Sequence, residues 1–346
     1  MIRRLLARAL TLTAVLLVVL VLLTVVLGAT GYSDRIVQSI IGEQLRSMRE
    51  GLAQRIRDPE ELERALAELK SEMERAYGLD RPWYARIPET VLRVMTLDLG
   101  DARTARSTSG STKVVDILSE RIPNTVVLVT TSLLISALLG LYIGASLAKR
   151  VGSRLERLVT YLSAVSNSLP SWWTGILLLI VFAYQLRFFP GSGMLSSPPP
   201  EGALERALDV LWHSVLPVTT LVLISIGPSI YASRTLLLNV AQEDFVSVAR
   251  SKGLPERVVS VRYVLRPASP PIVTGLALSL PASLGGAILT ETVFNWPGMG
   301  RLYYNAVVMG DEVLIVALTY LFTLMYVAAR FVLEVLYQFL DPRVRI

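Results

Sequence analysis

Gln242–Arg266 reads QEDFVSVARSKGLPERVVSVRYVLR. The stretch is charged and helix-forming. It stands between two apolar segments, Ser214–Leu238 and Pro267–Leu289, each long enough to cross a bilayer. A polar loop of this size between two spans must have work of its own on one side of a membrane. Composition agrees with an integral membrane protein. Hydrophobic residues make up 52% of the 346, and the mean hydropathy is +0.52. Charged residues make up 18%, below the roughly 25% of a typical soluble domain.

Working outward, about 20 mostly apolar residues make a span. Ala9–Thr30 is the first. Its apolar run exceeds the roughly 7–15 residues of a signal-peptide core, so a retained helix is expected. Pro123–Ala148, Leu158–Phe182, Ser214–Leu238, Pro267–Leu289 and Val313–Leu340 follow. The expectation is an all-α integral membrane protein with six transmembrane helices. Pro170 and Pro281 fall inside the third and fifth spans. There a freed carbonyl needs another partner, so kinks against neighbours or a cavity are expected.

Basic residues set the orientation. Arg3, Arg4 and Arg8 precede the first span; Lys149, Arg150, Arg154 and Arg157 separate the second and third. Arg250, Lys252, Arg257, Arg262 and Arg266 separate the fourth and fifth, and Arg343 and Arg345 end the chain. All lie inside if the N-terminus does. The expected location is therefore the cell membrane, multi-pass, with both termini cytoplasmic. The net charge of +6 then reflects orientation and contact with membrane lipid, not nucleic acid.

Three regions result: a first transmembrane helix over 1–30, an external helical insert over 31–122, and a core of five spans over 123–346 with the charged loop at 240–266. In the insert, Asp58 is placed to cap a helix opened by Pro59. Leu62, Leu66, Leu69 and Met73 follow at helical spacing, a stripe expected to pack on the membrane domain. Gly78 suits a left-handed stop. A second helix is expected around Pro88–Met95, and Ser107–Thr112 reads as a flexible connector.

Enzyme motifs are missing. There is no cysteine, so no disulfide or thiolate metal site, and His213 is the single histidine. His213 reads as an interfacial side chain. No GxxxxGK[ST] phosphate loop and no GxSxG elbow occur. No catalytic residue, cofactor site or metal site is expected in this chain.

Within the charged loop, Asn239–Lys252 reads as one helix with Val240, Phe245, Val248 and Ala249 on an apolar face. Arg250 and Lys252 sit at the negative end of its dipole. Gly253 terminates it, Pro255 blocks direct continuation, and Glu256–Leu265 reads as a second helix. Two readings of this helix–Gly–helix knob stand side by side. It docks into a groove on a cytosolic partner and carries motion into spans four and five, or it is a basic connector on lipid headgroups.

The loop resembles the EAA loop of importer-type ABC transporter permeases. Of the general form E-A-A-x3-G, Ala249 and Gly253 fit, while the acidic and first alanine positions depart. The variant A-R-x-K-G-L of the dipeptide and oligopeptide permeases is matched in full by Ala249–Leu254. YGLDRPWY (Tyr77–Tyr84), LDLGD (Leu97–Asp101), ERIPNT (Glu120–Thr125), SLPSWWTGILLL (Ser168–Leu179), TETVFNWPGMGRL (Thr290–Leu302) and LDPRVR (Leu340–Arg345) extend the resemblance. It is to the B-type subunit of that group. Gly31–Ala76 carries none of these stretches and looks like a larger or divergent external insert.

The resemblance implies a second homologous permease subunit, two ATPase subunits that bind ATP and Mg, and an external substrate-binding protein. It implies a coupling set of Phe245, Ala249, Arg250, Lys252, Gly253 and Leu254. Arg250 and Lys252 would pair with acidic groups on the ATPase, or else serve as inside anchors. Peptides or oligosaccharides are the implied cargo, with nickel carried by some relatives. Asn167, Ser168 and Pro170 either line the pathway or bond to neighbouring helices. Glu291 either lines the outer vestibule or pairs structurally, for example with Arg301. Trp172, Trp173 and Trp296 read as interfacial or packing aromatics. The alternative, a self-contained ion-coupled carrier or channel, calls for ionisable residues in mid-membrane or inverted repeats. Only Arg234, Arg330 and Glu334 approach that description.

Overall fold

The computed structural model describes the backbone of residues 2–340, with side chains throughout except at 2–4, 33, 280–286 and 336–340. Arg343, Arg345 and the segment Asp341–Arg345 lie outside the described residues. Among those described the regular elements are all helices, without strands. The helices are α1 Ile2–Thr30, α2 Tyr32–Ala53, α3 Pro59–Ala76, α4 Trp83–Met95, α5 Val114–Ala148, α6 Arg154–Ser168, α7 Ser171–Leu178, α8 Ala203–Ala241, α9 Asp244–Ser251, α10 Glu256–Val258, α11 Arg266–Val293, α12 Met299–Val308 and α13 Glu312–Leu340. α7 continues as a π-helical segment, Leu179–Gln185, and α10 joins α11 through another, Val259–Leu265.

Four helices among the described residues are long and apolar enough to cross a bilayer: Leu5–Thr30, Val114–Ala148, Ala203–Ala241 and Glu312–Val335. The pair Arg154–Ser168 and Ser171–Gln185 is a fifth if it counts as one span, but it is bent by 101°. That bend exceeds the kink expected at Pro170. The proline does not sit inside a helix: it is the extended N-cap of α7, at φ −64° and ψ 135°, so its missing N–H breaks no helical bond. The expected span at Pro267–Leu289 lies within α11. The expected kink at Pro281 falls where side chains lie outside those described.

The chain divides into two compact units, Met1–Ser119 with Asn305–Val327, and Glu120–Tyr304 with Ala328–Ile346. In the first, Gly31 at φ 58° turns the chain from α1 into α2, an element not read from the sequence. Asp58 caps α3 as expected, accepting from the Glu60 N–H at 3.0 Å. Gly78 ends it in the left-handed region at φ 72°. α3 packs along α2, and its stripe Leu62, Leu66, Leu69 and Met73 is half-buried. α2 is the helix beside this one. α4 starts at Trp83, so Pro88 lies inside it instead of opening it. Ser107–Thr112 is not a free connector. Ala102 N–H donates to Thr112 O at 2.7 Å and Ser107 N–H to Ser111 O at 2.9 Å, closing the segment on itself.

In the second unit α6 lies along α8. Ser166 Oγ donates to Leu223 O, and Arg234 pairs with Glu156. Both side chains of the ion pair are less than a fifth exposed, at 19% and 13%. Removing one partner of such a pair leaves an unbalanced charge, at a cost of about 3 kcal/mol or more. Arg234→Ala and Glu156→Ala are each expected to lower the melting temperature of the detergent-solubilised chain. The double variant should lose less than the sum. Strict additivity would mean that the pair contributes nothing. Arg330 and Glu334 also meet, at 3.8 Å within α13.

His213 is buried within the chain. Its Nδ1 lies 2.9 Å from Asp209 O and 3.2 Å from Asp209 Oδ1. Asp209 also accepts from Ser196 N–H at 2.7 Å and Ser196 Oγ at 2.8 Å. This histidine therefore helps hold the segment before α8 onto that helix.

Candidate functional site

The Gln242–Arg266 loop is built in three pieces. α8 ends at Ala241, Gln242 and Glu243 form a turn, and α9 begins at Asp244. The single helix expected over Asn239–Lys252 is thus broken. The break resets the phase: Val246 and Ala249 point inward, buried against Val259 with Leu254, Tyr263 and Val264 around them. Phe245 and Val248 point outward, 44% and 51% exposed. The one apolar face expected from Val240, Phe245, Val248 and Ala249 is instead two faces, one anchoring and one presented.

The A-R-x-K-G-L stretch has a physical explanation. α9 ends in a Schellman motif. Gly253 N–H donates to Arg250 O at 2.9 Å, and Leu254 N–H to Ala249 O at 3.4 Å. Gly253 adopts φ 73°, which side chains with a Cβ adopt only at a cost of about 1 kcal/mol. Leu254 packs on the cluster that holds Ala249, the hydrophobic contact that accompanies this cap. Nothing lies within 4 Å of where a Gly253 Cβ would stand, so backbone conformation alone selects glycine.

Arg250 pairs across the turn with Glu256, 3.3 Å apart, both groups about half exposed. Lys252 caps α9 and is exposed. Glu256–Leu265 is helical as expected, but it does not end: it runs through the π-helical segment directly into α11. α9 is therefore gripped by Val259 on a helix continuous with α11, and joined by two residues to α8.

A second constellation surrounds Glu291. α11 ends in another Schellman motif, with Asn295 in the left-handed region at φ 54° and Trp296 N–H donating to Glu291 O at 2.8 Å. The chain then folds back, and the Glu291 side chain is 0% exposed. Its Oε1 accepts from Thr125 Oγ1 at 2.8 Å, and its Oε2 from the Arg301 N–H at 3.0 Å. Thr125 Oγ1 in turn accepts from Met299 N–H at 2.7 Å. A Cβ at Gly298 would collide with the carboxylate, and one at Gly300 would stand 2.6 Å from Ile288 Cα. Trp296 is fully buried and donates through Nε1 to Asn124 O at 3.1 Å. The structure thus places Glu291 in a closed cradle, and Arg301 meets it through its backbone N–H. The Arg301 guanidinium bonds Asn295 O instead, at 3.1 Å.

The other sequence-derived candidates lie at the α6–α7 break. Asn167 and Ser168 are exposed at the end of α6, and Ser168 Oγ donates to Ala164 O at 3.0 Å. Pro170 O accepts from Thr174 N–H at 3.0 Å and Thr174 Oγ1 at 3.1 Å. The structure does not gather these residues, Glu291 and the Phe245–Leu254 loop into one site. Trp172 and Trp173 are partly exposed. Among the described residues no group of His, Asp and Glu is arranged to hold a metal ion.

The family model described as "Binding-protein-dependent transport system inner membrane component" matches residues 137–346. The oligopeptide transport system permease protein AppB of Bacillus subtilis (strain 168) is 27% identical over 268 residues, covering 78% of this chain and 82% of its own. The probable D,D-dipeptide transport system permease protein DdpB of Escherichia coli (strain K12) is 31% identical over 283 residues, covering 77% and 82%. The di/tripeptide transport system permease protein DppB of Pseudomonas aeruginosa (strain UCBPP-PA14) is 31% identical, covering 78% and 82%. Among solved structures, a chain of the MetNI methionine ABC transporter in inward-facing conformation aligns with a TM-score of 0.48 at 16% identity, covering 63% of this chain and 95% of that one.

Proposed function

The chain belongs to the family of binding-protein-dependent transport system inner membrane components, and we propose that its Gln242–Arg266 loop couples it to cytosolic ATPase subunits. It is the permease component of an ABC importer. In the proposed assembly it forms half of a translocation pathway with a second, homologous permease. Two ATPase subunits bind the ATP and Mg, and an external binding protein delivers the solute. Both termini and the 240–266 loop face the cytosol, residues 31–122 face outward, and α6–α7 and α11 complete six spans. Peptides are the favoured cargo, because two relatives at 31% identity are named for dipeptide and di/tripeptide transport. Oligosaccharides are the second class.

The observation that carries this reading is the division of labour on α9. Val246 and Ala249 fasten it to the helix that becomes α11, while Phe245 and Val248 stand exposed at its outer face. A side chain pair of that kind fits a groove on a partner, and displacement of α9 moves the two flanking helices with it. The two access states must differ in free energy for each ligand, and a docked α9 supplies the link. Arg250 and Lys252 stand beside the docking face, with acidic groups of the ATPase as their partners. Asn167, Ser168 and Pro170, exposed at the helix break, are proposed to line the pathway.

Two experiments test this. An affinity-tagged chain purified from its native membrane should bring down a second permease and two ATPases; its isolation alone would sink the proposal. In the reconstituted complex, Gly253→Asp and Phe245→Ala are each expected to leave membrane insertion unchanged and to reduce substrate-stimulated ATP hydrolysis and uptake at least about tenfold, the loss of roughly 1.4 kcal/mol of coupling. Gly253→Asp strains the cap, and Phe245→Ala removes the presented ring. Full uptake in both variants would exclude docking through this loop.

A further inference from the structure

The first compact unit contains a cavity of about 840 Å³, walled by the end of α3, α4, the 98–106 segment and the first turn of α13. That volume lies within the range of small-molecule sites, roughly 300–1,000 Å³. The usual site is mostly apolar; this one is lined by charge. Some of that charge is internally satisfied. Arg86 reaches both oxygens of Asp34, at 2.9 and 2.7 Å, and Arg81 stands 3.6 Å from Glu89. These pairs hold α4 to α2 and α4 to the preceding turn.

Four lining groups are different. Arg93 and Arg106 have no carboxylate partner among the described residues, and Asp80 and Asp98 have no cationic one. The Arg93 Nε is buried without a hydrogen-bond acceptor, a condition that native structures avoid unless something else supplies one. These two cations and two anions line one cavity without pairing with each other. A ligand with a carboxylate at one end and an ammonium at the other would satisfy both sets. Guanidinium is the side chain best shaped to take a carboxylate.

We propose that this cavity is a ligand site for a small zwitterionic solute, with Arg93 and Arg106 receiving its carboxylate and Asp80 and Asp98 its ammonium. The site belongs to the chain itself and is separate from the α6–α7 break and from the loop around Gly253. Arg103 forms part of its floor, donating to Tyr77 O at 3.5 Å with its guanidinium 5.7 Å from the Tyr77 ring centroid. The choice of a peptide as one probe rests on the import reading; a free amino acid tests the charge recognition independently of it.

The test is equilibrium binding to the purified full-length chain in lipid nanodiscs, without binding protein or nucleotide. Probes are alanine, trialanine, C-amidated trialanine and N-acetylated trialanine. At least one of the two free zwitterions is expected to saturate the chain with a half-point at or below about 1 mM. Amidation should weaken trialanine, where it binds, by about tenfold or more, because a charge-assisted bond is lost. Arg93→Gln with Arg106→Gln should remove binding of the free zwitterion, and Asp80→Asn with Asp98→Asn should weaken it while leaving N-acetylated trialanine unaffected. Each variant is checked for an unchanged melting temperature, and single substitutions replace any double variant that fails that check. Absence of saturation by both zwitterions overturns the proposal. So does equal binding of the amidated peptide, or unaltered binding in the arginine variants. These outcomes leave the import reading standing, since that depends on co-purification and uptake.

Discussion

Glu291→Ala is expected to produce one of the two largest losses of stability in this chain. The carboxylate is 0% exposed and stands between the end of α11, Thr125 on α5 and the first turn of α12. Removing it orphans the Thr125 hydroxyl, which is buried, and the Arg301 N–H, which is partly buried. Each unmet donor costs about 1–3 kcal/mol, and the vacated volume adds to that. A total on the order of 4 kcal/mol places the substitution among the exceptional ones. The measurement is thermal unfolding of the solubilised chain, with yield from the membrane as a second readout. A melting temperature unchanged within the scatter of repeats would show that the cradle contributes nothing.

Two companion variants separate a structural role from a pathway role. Glu291→Gln keeps the shape and one acceptor oxygen, so it should recover most of the stability. Thr125→Val cuts the link to Oε1 and to Met299 N–H, so it should resemble a milder Glu291→Ala. If Glu291 worked on the solute instead, Glu291→Gln would leave unfolding untouched and abolish uptake. The large loss is therefore expected in melting for Ala, while Gln should melt close to the parent chain and keep uptake.

What was legible in the sequence follows the range over which each signal acts. Asp58, Gly78 and Gly253 act within one helix turn, and all three stand where local rules put them. The apolar runs of α1, α5, α8 and α13 are likewise local, and each is long enough to cross a bilayer. The cradle was not legible, because Thr125 and Glu291 are 166 residues apart and neither carries a pattern that points to the other. The two faces of α9 were obscured by the turn at Gln242–Glu243, since an assumed continuous helix carries the phase of Val240 past a break. The 101° bend was half legible: Pro170 marked the place, but a proline alone does not distinguish a kink from the start of a new helix. The cavity of the first unit depends on side chains from several separate segments, from Gln44 to Val316, so no single window of sequence contains it.

Asp311→Ala is the second large loss expected, and its signature is local. Asp311 is 0% exposed and serves three elements at once. Its N–H closes the end of α12 onto Ala306 O at 2.9 Å, after Gly310 at φ 63°. Its Oδ1 accepts from Leu314 N–H at 3.2 Å, the N-cap bond of α13. Its Oδ2 accepts from Arg103 N–H and Thr104 N–H, both at 2.7 Å, and from Thr104 Oγ1 at 3.0 Å. Losing the cap costs about 1 kcal/mol, and leaving the two short backbone donors unmet adds about 1–3 kcal/mol each. The backbone N–H of Asp311 survives the substitution, so α12 should keep its end while the 103–104 segment is released. Hydrogen exchange distinguishes this from general unfolding: the Arg103 and Thr104 amides should lose protection ahead of the rest of the unit. Asp311→Asn retains one acceptor oxygen and should fall between Ala and the parent chain. Arg103 and Arg106 line the cavity beside this segment, so Asp311→Ala should also weaken any zwitterion bound there. Uniform loss of protection across the unit would mean that Asp311 holds the whole of it, and unchanged protection would mean that the three donors find acceptors elsewhere.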